Sequence, residues 1–174
     1  IDGQGTSSMA HPLPVWNLKD LLDPKDIEAI IAEIRERVER LAKRKKNYSA
    51  RISGAAFKRM MVELEQLSRA MEKLGSYASH RFNENSRDQE AAALRNKVRS
   101  LSAEIDMRLL FITQVFKRFP EREAKRLIAA CPEYAHHLRL IRKQRKHMLS
   151  DAEERIVTIK DVNGAGALST VYDI

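Results

Sequence analysis

Residues 86–120 decide the fold of this chain, and they read SRDQEAAALRNKVRSLSAEIDMRLLFITQVFKRFP. Their apolar side chains recur at steps of three and four, which is the spacing of one face of an α-helix. That face consists of Leu94, Val98, Leu101, Ile105, Leu109, Ile112 and Phe116. The run Ser86-Arg87-Asp88-Gln89 fits a capping box, and Pro120 cannot continue a helix. The stretch therefore predicts one long amphipathic helix that is capped by Ser86 and stops before Pro120.

Two further helical stripes precede this one. Asp23 is the predicted N-cap of a first helix, Pro24 is its first residue, and the helix ends in a basic run near Lys46. Ser53 is the predicted N-cap of a second helix, which residues 82–85 interrupt. The apolar faces are Ile27, Ile30, Ile31, Ile34, Val38 and Leu41 in the first helix, and Phe57, Met60, Met61, Leu64, Leu67, Met71, Leu74, Tyr77 and Ala78 in the second. We expect these two helices to pack as an antiparallel pair.

Shorter elements follow the long helix. The spacing predicts a short amphipathic helix over residues 121–130, which Cys131-Pro132 ends because proline disfavours helical geometry in the residue before it. Pro132 then begins another helix that extends to Arg145. Residues 150–153 fit a second capping box, and the helix that they predict ends at Asn163-Gly164. Its apolar side consists of Ile156, Val157 and Ile159.

The composition favours helices over strands. The 174 residues are 43% hydrophobic but only 6% aromatic, so a core can form although the aromatic residues that favour strands are scarce. We therefore predict an all-α fold, an antiparallel helical bundle of about five to six helices, two or three of them long.

Three regions are expected along the chain. Residues 1–8 are an expression remnant or a disordered lead-in, and residues 9–23 are an extended N-terminal strap that includes Trp16. Residues 24–174 form the helical lobe. Because the sequence closes on Val171, Tyr172 and Ile174 without evident packing partners for these apolar residues, we expect the lobe to be truncated from a larger protein.

The sequence predicts no catalytic, cofactor-binding or metal-ligating residue. A zinc peptidase needs His-Glu-x-x-His, and Glu follows none of the histidines, which are His11, His80, His136, His137 and His147. Cys131 is expected to be a buried small hydrophobe rather than a nucleophile. As the single cysteine, it cannot form an intrachain disulfide, which suits a reducing cytosol. Charges interrupt every apolar stretch, so no membrane-spanning helix is predicted.

The net charge of +8 is concentrated in two runs, Arg40–Lys46 and Arg139–His147. Both fall at the C-terminal ends of predicted helices, where cations complement the helix dipole. They also leave open an alternative function, a free-standing basic helical module that binds nucleic acid or an acidic protein partner. Interspersed acids and the lack of flanking aromatics disfavour nucleic acid. Methionines 60, 61 and 71 fit the core, or alternatively a groove that accepts varied peptides.

Several stretches, in this order, resemble the N-terminal region of oligoendopeptidase F and its relatives among the thimet-oligopeptidase-like zinc metallopeptidases. Trp16-Asn17-Leu18-Lys19-Asp20-Leu21-Leu22 is similar to the opening motif of that family, and Tyr77-Ala78-Ser79 to its Tyr-Ala-Ser. The most specific likeness lies between Tyr134 and Glu154, where Tyr-x-x-x-Leu and a basic helix precede His-x-Leu-Ser-x-x-Glu-Glu. Residues 163–173 resemble a later motif, with Leu168 and Val171 where the family usually has Trp and Leu.

The resemblance implies that this chain is the non-catalytic N-terminal lobe of a longer metallopeptidase. In that family the lobe forms one wall of a channel that admits only short peptides, and zinc is held by a later catalytic domain. The implied partners are that catalytic domain and, through the parent protein, oligopeptide substrates in the cytoplasm. No membrane partner is expected, no cofactor is expected in this chain, and the chain alone is expected to be inactive. Apolar surface exposed by truncation is expected to favour a homodimer.

Overall fold

The computed structural model describes residues 17–147 and, beyond them, residues 153, 156, 157 and 160, which are helical. Five α-helices have defined bounds: α1 is Ile27–Lys43, α2 is Gly54–Glu84, α3 is Gln89–Arg118, α4 is Glu121–Ala129 and α5 is Ala135–Lys143. Short 3-10 helices cover Leu18–Asp20, Pro24–Asp26, Arg44–Asn47, Pro132–Tyr134 and Gln144–His147. No strand occurs among the described residues. The predicted all-α fold, with two long helices, is confirmed.

Local capping chemistry begins α2 where the sequence predicts, whereas α1 begins at Ile27, three residues after the predicted start at Pro24, because Pro24–Asp26 forms a 3-10 turn. The Asp23 carboxylate accepts the backbone N–H of Lys25 ahead of the 3-10 turn that leads into α1. The Ser53 hydroxyl oxygen accepts the N–H of Ala56 at the start of α2. Both caps satisfy N–H groups that have no partner within the helix.

The predicted cap of α3 is wrong. Ser86 lies in the turn between α2 and α3, and the N-cap is Asp88, whose carboxylate accepts the N–H groups of Glu90 and Ala91. Asp88 directly precedes the first helical residue, and its negative charge also interacts favourably with the N-terminal end of the helix dipole. α3 therefore begins at Gln89, two residues later than the capping box predicts. α2 also continues through the predicted interruption and ends only at Glu84.

Helices α1, α2 and α3 form a three-helix bundle around a shared core. Ile34 and Leu41 of α1 and Leu74 of α2 are completely buried, and they come from the predicted apolar stripes. Ion pairs between Arg40 and Glu63 and between Lys97 and Glu28 join α1 to each neighbour at the surface. The apolar stripes thus remove their surface from water while the charged faces stay solvated.

Helices α4 and α5 close one end of this bundle. Leu127 of α4 and Leu138 of α5 are buried against it. The rings of Phe57 and Phe116 stack there with their centroids 5.5 Å apart. Gly54, the first residue of α2, lies so close to α4 that an added Cβ would be 2.8 Å from the Cβ of Ala130. The end of the bundle is therefore packed as part of the same core.

Part of the predicted organisation falls outside the described residues. This applies to residues 1–8, to Trp16 and most of the strap, and to residues 161–174. Within the strap, Leu18–Asp20 forms a 3-10 turn and Leu22 is buried. Ile156 and Val157 are helical as predicted, but their side chains are exposed. In the part of the chain that the structure covers, no helix is long and apolar enough to cross a bilayer.

Candidate functional site

The most extensive cleft on the long helices runs between α2 and α3, and we call it the central groove. The cleft lies on the side of the two helices that faces away from α1. Residues of α1 form hydrogen bonds to Gln66 and Glu63 of α2 and to Arg108 of α3, and none of these three residues lines the cleft. The half nearer α5, which we call the α5 half, encloses about 820 Å³. Two antiparallel helices with no third helix over them leave such a cleft open on one side.

The floor of the α5 half is apolar. It is made by buried side chains of both long helices, namely Met61, Leu67, Ile105, Leu109 and Ile112. Leu64, Met71 and Leu110 are half-buried at its edges. Of the methionines that the sequence singled out, Met60 is a core residue with 1% exposure, whereas Met61 and Met71 line the groove. Met60 and Met61 are both core residues and Met71 packs against the core, so the core interpretation is confirmed, and a groove that accepts varied peptides stays a prediction.

Polar groups converge at the end of this half that faces α5. The Tyr134 hydroxyl donates a hydrogen bond of 2.5 Å to a Glu65 carboxylate oxygen. This bond lowers the pKa of Glu65 and raises the pKa of Tyr134 to about 12. Asp106 lines the same half, and partial desolvation raises its pKa. The exposed side chain of His137 completes this polar end.

The groove continues toward the turn between α2 and α3, and we call this the turn half. It encloses about 460 Å³ and shares Ser68, Met71 and Ser102 with the α5 half. Small residues, Gly75, Ala78 and Ser79, make its α2 side. On its α3 side, the Arg95 guanidinium stacks on the Phe82 ring, 3.7 Å from its centroid.

A second cleft, the α4–α5 groove, lies between the two short helices and encloses about 1120 Å³. Its apolar lining is Ala124, Ile128, Ala129, Pro132 and Ala135. Its edges carry Lys125, Arg139, Lys143 and Arg145. Among these cations, Lys125 has a described carboxylate partner, Glu121, at 3.9 Å. The cleft is therefore an apolar surface with a positive rim.

Arg142 also lines the α4–α5 groove, but its role is structural. Its guanidinium donates to the carbonyl oxygens of Phe116, Lys117 and Phe119 at 2.7–3.2 Å, where α3 ends. It also forms a 2.7 Å ion pair with Glu121, whose pKa it lowers. One side chain thus binds the carbonyls of Lys117 and Phe119 and shares that of Phe116, which also accepts the backbone N–H of Phe119.

The predicted basic runs lie where the dipole argument expects them. Arg40 and Lys43 occupy the last turn of α1, and Arg142 and Lys143 that of α5. In the first run, Arg40 and Arg44 both pair with Glu63, which neutralises part of the charge. The second run supplies the positive rim of the α4–α5 groove.

The candidate reactive residues are not brought together. Cys131 is completely buried, as predicted, and burial raises the pKa of its thiol. His80, His136 and His137 are exposed, whereas His11 and the His147 side chain lie outside the described residues. Within residues 17–147, no three His, Cys, Asp or Glu side chains are placed to hold a metal ion. The zinc that the resemblance implies therefore has no fitting site among the described residues.

Two residues of the central groove, Asp106 and Arg95, were missed at the sequence level. A signal existed, because they are 11 residues apart and a helix completes about three turns over that interval. Both therefore lie on one stripe of α3. Because the stripe is polar and adjoins the apolar face, hydrophobic periodicity does not distinguish it from an ordinary solvated face.

Comparisons with known proteins address the predicted resemblance. A family model of M3 peptidase N-terminal regions, described as oligopeptidase F, matches residues 116–174. Neither the curated proteins nor the solved structures gave a significant match. The matched segment begins in the last turns of α3 and includes α4 and α5. Over this segment the match confirms the predicted resemblance to the N-terminal region of oligoendopeptidase F.

Proposed function

We propose that the chain is the helical N-terminal lobe of an oligopeptidase F-type metallopeptidase, and that its central groove forms part of the wall of a peptide channel. In this proposal the lobe excludes folded proteins and leaves the chemistry to a zinc-bearing catalytic domain elsewhere in the parent protein. The lobe would act in the cytosol, a place that its single cysteine favours.

The observation that carries the proposal is the packing of the matched segment into the long helices. Arg126 of α4 donates to the carbonyl oxygens of Ala50 and Ile52, in the connection that precedes α2, at 3.0 and 2.9 Å. Lys58 of α2 forms a 2.5 Å ion pair with Glu133, ahead of α5. Because residues before and after the start of the match share one core, the family assignment of the last third supports assigning α1 and α2 to the same lobe.

The shape of the central groove supports a role beside peptides. It is open along one side, apolar at its floor and polar at its edges, which suits side chains of varied sequence. Met61 and Met71 add flexible, polarisable contacts that tolerate such variety. A rigid pair of helices, rather than a loop, would keep the width of the channel fixed.

Sequencing of the coding region that follows the Ile174 codon tests the parent protein. The proposal expects an open frame that encodes His-Glu-x-x-His, and a frame that continues into an unrelated domain would contradict it. The isolated chain offers a second test. Metal analysis should find no stoichiometric zinc in it, and it should cleave no quenched peptide. Bound zinc or peptide cleavage in the pure chain would indicate a different function.

The α4–α5 groove favours a second candidate, the basic binding module. Its rim of Lys125, Arg139, Lys143 and Arg145 over an apolar floor fits an acidic protein segment better than nucleic acid, since none of its described lining residues is aromatic. Electrophoretic mobility shift and pull-down with an acidic peptide, at several salt concentrations, separate the candidates. Tight binding at physiological salt would favour the module over the lobe.

The predicted homodimer stays a prediction. The exposed side chains of Ile156 and Val157 provide apolar surface for it. Sedimentation at several concentrations tests it, because a monomer at all concentrations would contradict the prediction.

A further inference from the structure

The central groove has opposite charges at its two ends. Asp106 lines the α5 half and Arg95 the turn half, and both project from one stripe of α3. Their separation of 11 residues corresponds to about 16 Å along the helix axis. Glu65 adds a second carboxylate to the α5 half, where Arg69 pairs with it at 2.6 Å, so the unpaired negative charge of that half is Asp106. Arg99 and Glu72 add one charge of each sign to the turn half. The groove is thus negative at one end and carries excess positive charge at the other.

Neither terminal charge is neutralised by a described residue. Asp106 makes no ion pair or hydrogen bond within the described part of the chain, although partial desolvation already disfavours its charge. Arg95 likewise has no carboxylate partner there, and its Nε is buried without a hydrogen-bond acceptor. Arg95 is half-buried, and a half-buried charge without a partner is unfavourable unless a ligand supplies one, whereas Asp106 is exposed and accessible to a ligand.

Arg95 is also held in place before any ligand binds. Its guanidinium lies over the Phe82 ring at 3.7 Å, and Phe82 itself is buried at the end of α2. Stacking fixes the plane of the guanidinium, so less side-chain entropy is lost when it binds a carboxylate. Surface arginines of α1, such as Arg40, are instead engaged with glutamates.

Between the two charges, the surface suits a peptide backbone with small or apolar side chains. Ser68 and Ser102 offer hydroxyl groups, and Met71 offers an apolar contact. Gly75 lines the turn half, and an added Cβ there would meet nothing within 4 Å. The absence of a side chain at Gly75 therefore leaves room for a ligand rather than for a packed neighbour.

We propose that the central groove binds short peptides with two free ends in one direction, with the amino group at Asp106 and the carboxylate at Arg95. A separation of about 16 Å matches an extended peptide of about five residues, because a strand rises about 3.4 Å per residue. This inference rests on the proposed function, since it names the ligand of the same wall. A peptide with free ends carries a positive amino group at one end and a negative carboxylate at the other. A second copy of the chain could occupy the groove only if its surface presented one charge of each sign at the same spacing.

Calorimetric titration of the 174-residue chain with three probes tests the inference. The probes are the pentapeptide Ala-Leu-Ala-Leu-Ala, its N-acetylated form and its C-amidated form. Each blocking group removes one charge, and we expect it to weaken binding about three- to tenfold, the range for partly exposed charge pairs. The Asp106→Asn variant should bind the N-acetylated and the unblocked peptide equally well. The Arg95→Gln variant should bind the C-amidated and the unblocked peptide equally well.

Matched variants control for loss of charge alone. Glu84→Gln and Arg122→Gln change exposed residues outside the groove and should bind all three probes as the unmodified chain does. Circular dichroism confirms that each variant keeps its helices. If Arg95→Gln fails to fold, the comparison of the three peptides on the unmodified chain still tests the inference.

Two results would overturn the inference: equal binding of all three probes, or no binding of the unblocked peptide. Saturation that tracks self-association in sedimentation would also overturn it, in favour of a second copy. Failure here leaves the proposed function standing if the downstream frame encodes the zinc motif. Conversely, suppose that the downstream frame encodes an unrelated domain while both blocking groups still weaken binding. That result would contradict the proposed function and support the inference that the groove binds peptides.

Discussion

At the scale of single residues, Arg142 holds together the end of the bundle that α4 and α5 close. Its side chain is only 10% exposed and donates to three carbonyl oxygens of the α3 terminus. Replacement by Gln would leave most of these acceptors without partners. We expect Arg142→Gln to lower the free energy of unfolding by about 2–3 kcal/mol, measured by urea denaturation.

Arg139→Gln is the matched control for that prediction. Arg139 is exposed one turn earlier on α5 and has no described partner. Its replacement should change the stability by less than about 0.5 kcal/mol. Equal losses in the two variants would mean that net charge, rather than capping of α3, explains the effect.

The hydrogen bond between Tyr134 and Glu65 predicts a pH-dependent contribution to stability. The pKa of Glu65 is lowered in the folded chain, so its contribution is present above the unfolded pKa and is lost as the pH falls through the folded pKa. The pKa of Tyr134 is raised to about 12, so its contribution is lost only as the pH rises through that value. Tyr134→Phe should therefore destabilise the chain near neutral pH and less so near pH 3.

Urea denaturation of both proteins at the two pH values measures this difference. Glu65→Gln is the control, because a neutral amide still accepts the hydrogen bond but does not titrate. In that background Tyr134→Phe should cost the same at both pH values. A cost that is independent of pH in the unmodified background would show that the carboxylate is not the acceptor.

At the scale of elements, the start of α3 distinguishes two caps that the sequence offers. Asp88 accepts two backbone N–H groups, whereas Ser86 lies exposed in the preceding turn. Asp88→Ala should lower the free energy of unfolding by about 1 kcal/mol, and Ser86→Ala should change it little. Thermal denaturation of the two variants measures these losses. A larger loss of stability from Ser86→Ala than from Asp88→Ala would show that Ser86 is the N-cap, as the capping box predicts.

The two glycines of α2 should respond in opposite ways to the same substitution. A Cβ on Gly54 would lie 2.8 Å from that of Ala130, whereas one on Gly75 would meet nothing within 4 Å. Gly54→Ala should destabilise the chain by about 1–2 kcal/mol because α2 and α4 must separate. Gly75→Ala should stabilise it by about 0.5–1 kcal/mol, through higher helix propensity. Urea denaturation that gave both variants the same sign would contradict the close contact of α2 with α4.

At the scale of the whole molecule, local rules recovered the helices but not the clefts between them. The stripes from Ile27 to Leu41 and from Leu94 to Phe116 fixed which faces are buried, and adjacent residues fixed the Asp23 and Ser53 caps. The contacts of Arg142 and Arg126 span more than 20 residues of sequence. They depend on how helices pack, so periodicity alone could not predict them.

The same limit explains the candidate site. The sequence left the methionines as core or groove residues, and only the pairing of α2 with α3 shows that Met61 and Met71 line the groove whereas Met60 does not. The resemblance to the N-terminal region of oligopeptidase F, which a family model matches over residues 116–174, depends on motifs such as those between Tyr134 and Glu154 rather than on packing. Motifs could not reveal which face of the long helices is left open.

The most direct test of the channel-wall claim places a bulky label in the central groove of the full-length protein that this reading frame encodes. Ser102→Cys puts an exposed thiol where the two halves meet, and Ala32→Cys puts one on the exposed face of α1; any cysteine of the remaining protein is first replaced. Buried Cys131 should not react. After labelling with a large maleimide, kcat/KM for a quenched short peptide should fall at least about tenfold with the label at position 102 and stay unchanged with the label at position 32. Equal activity of the two labelled proteins would contradict the claim that peptides pass along this groove.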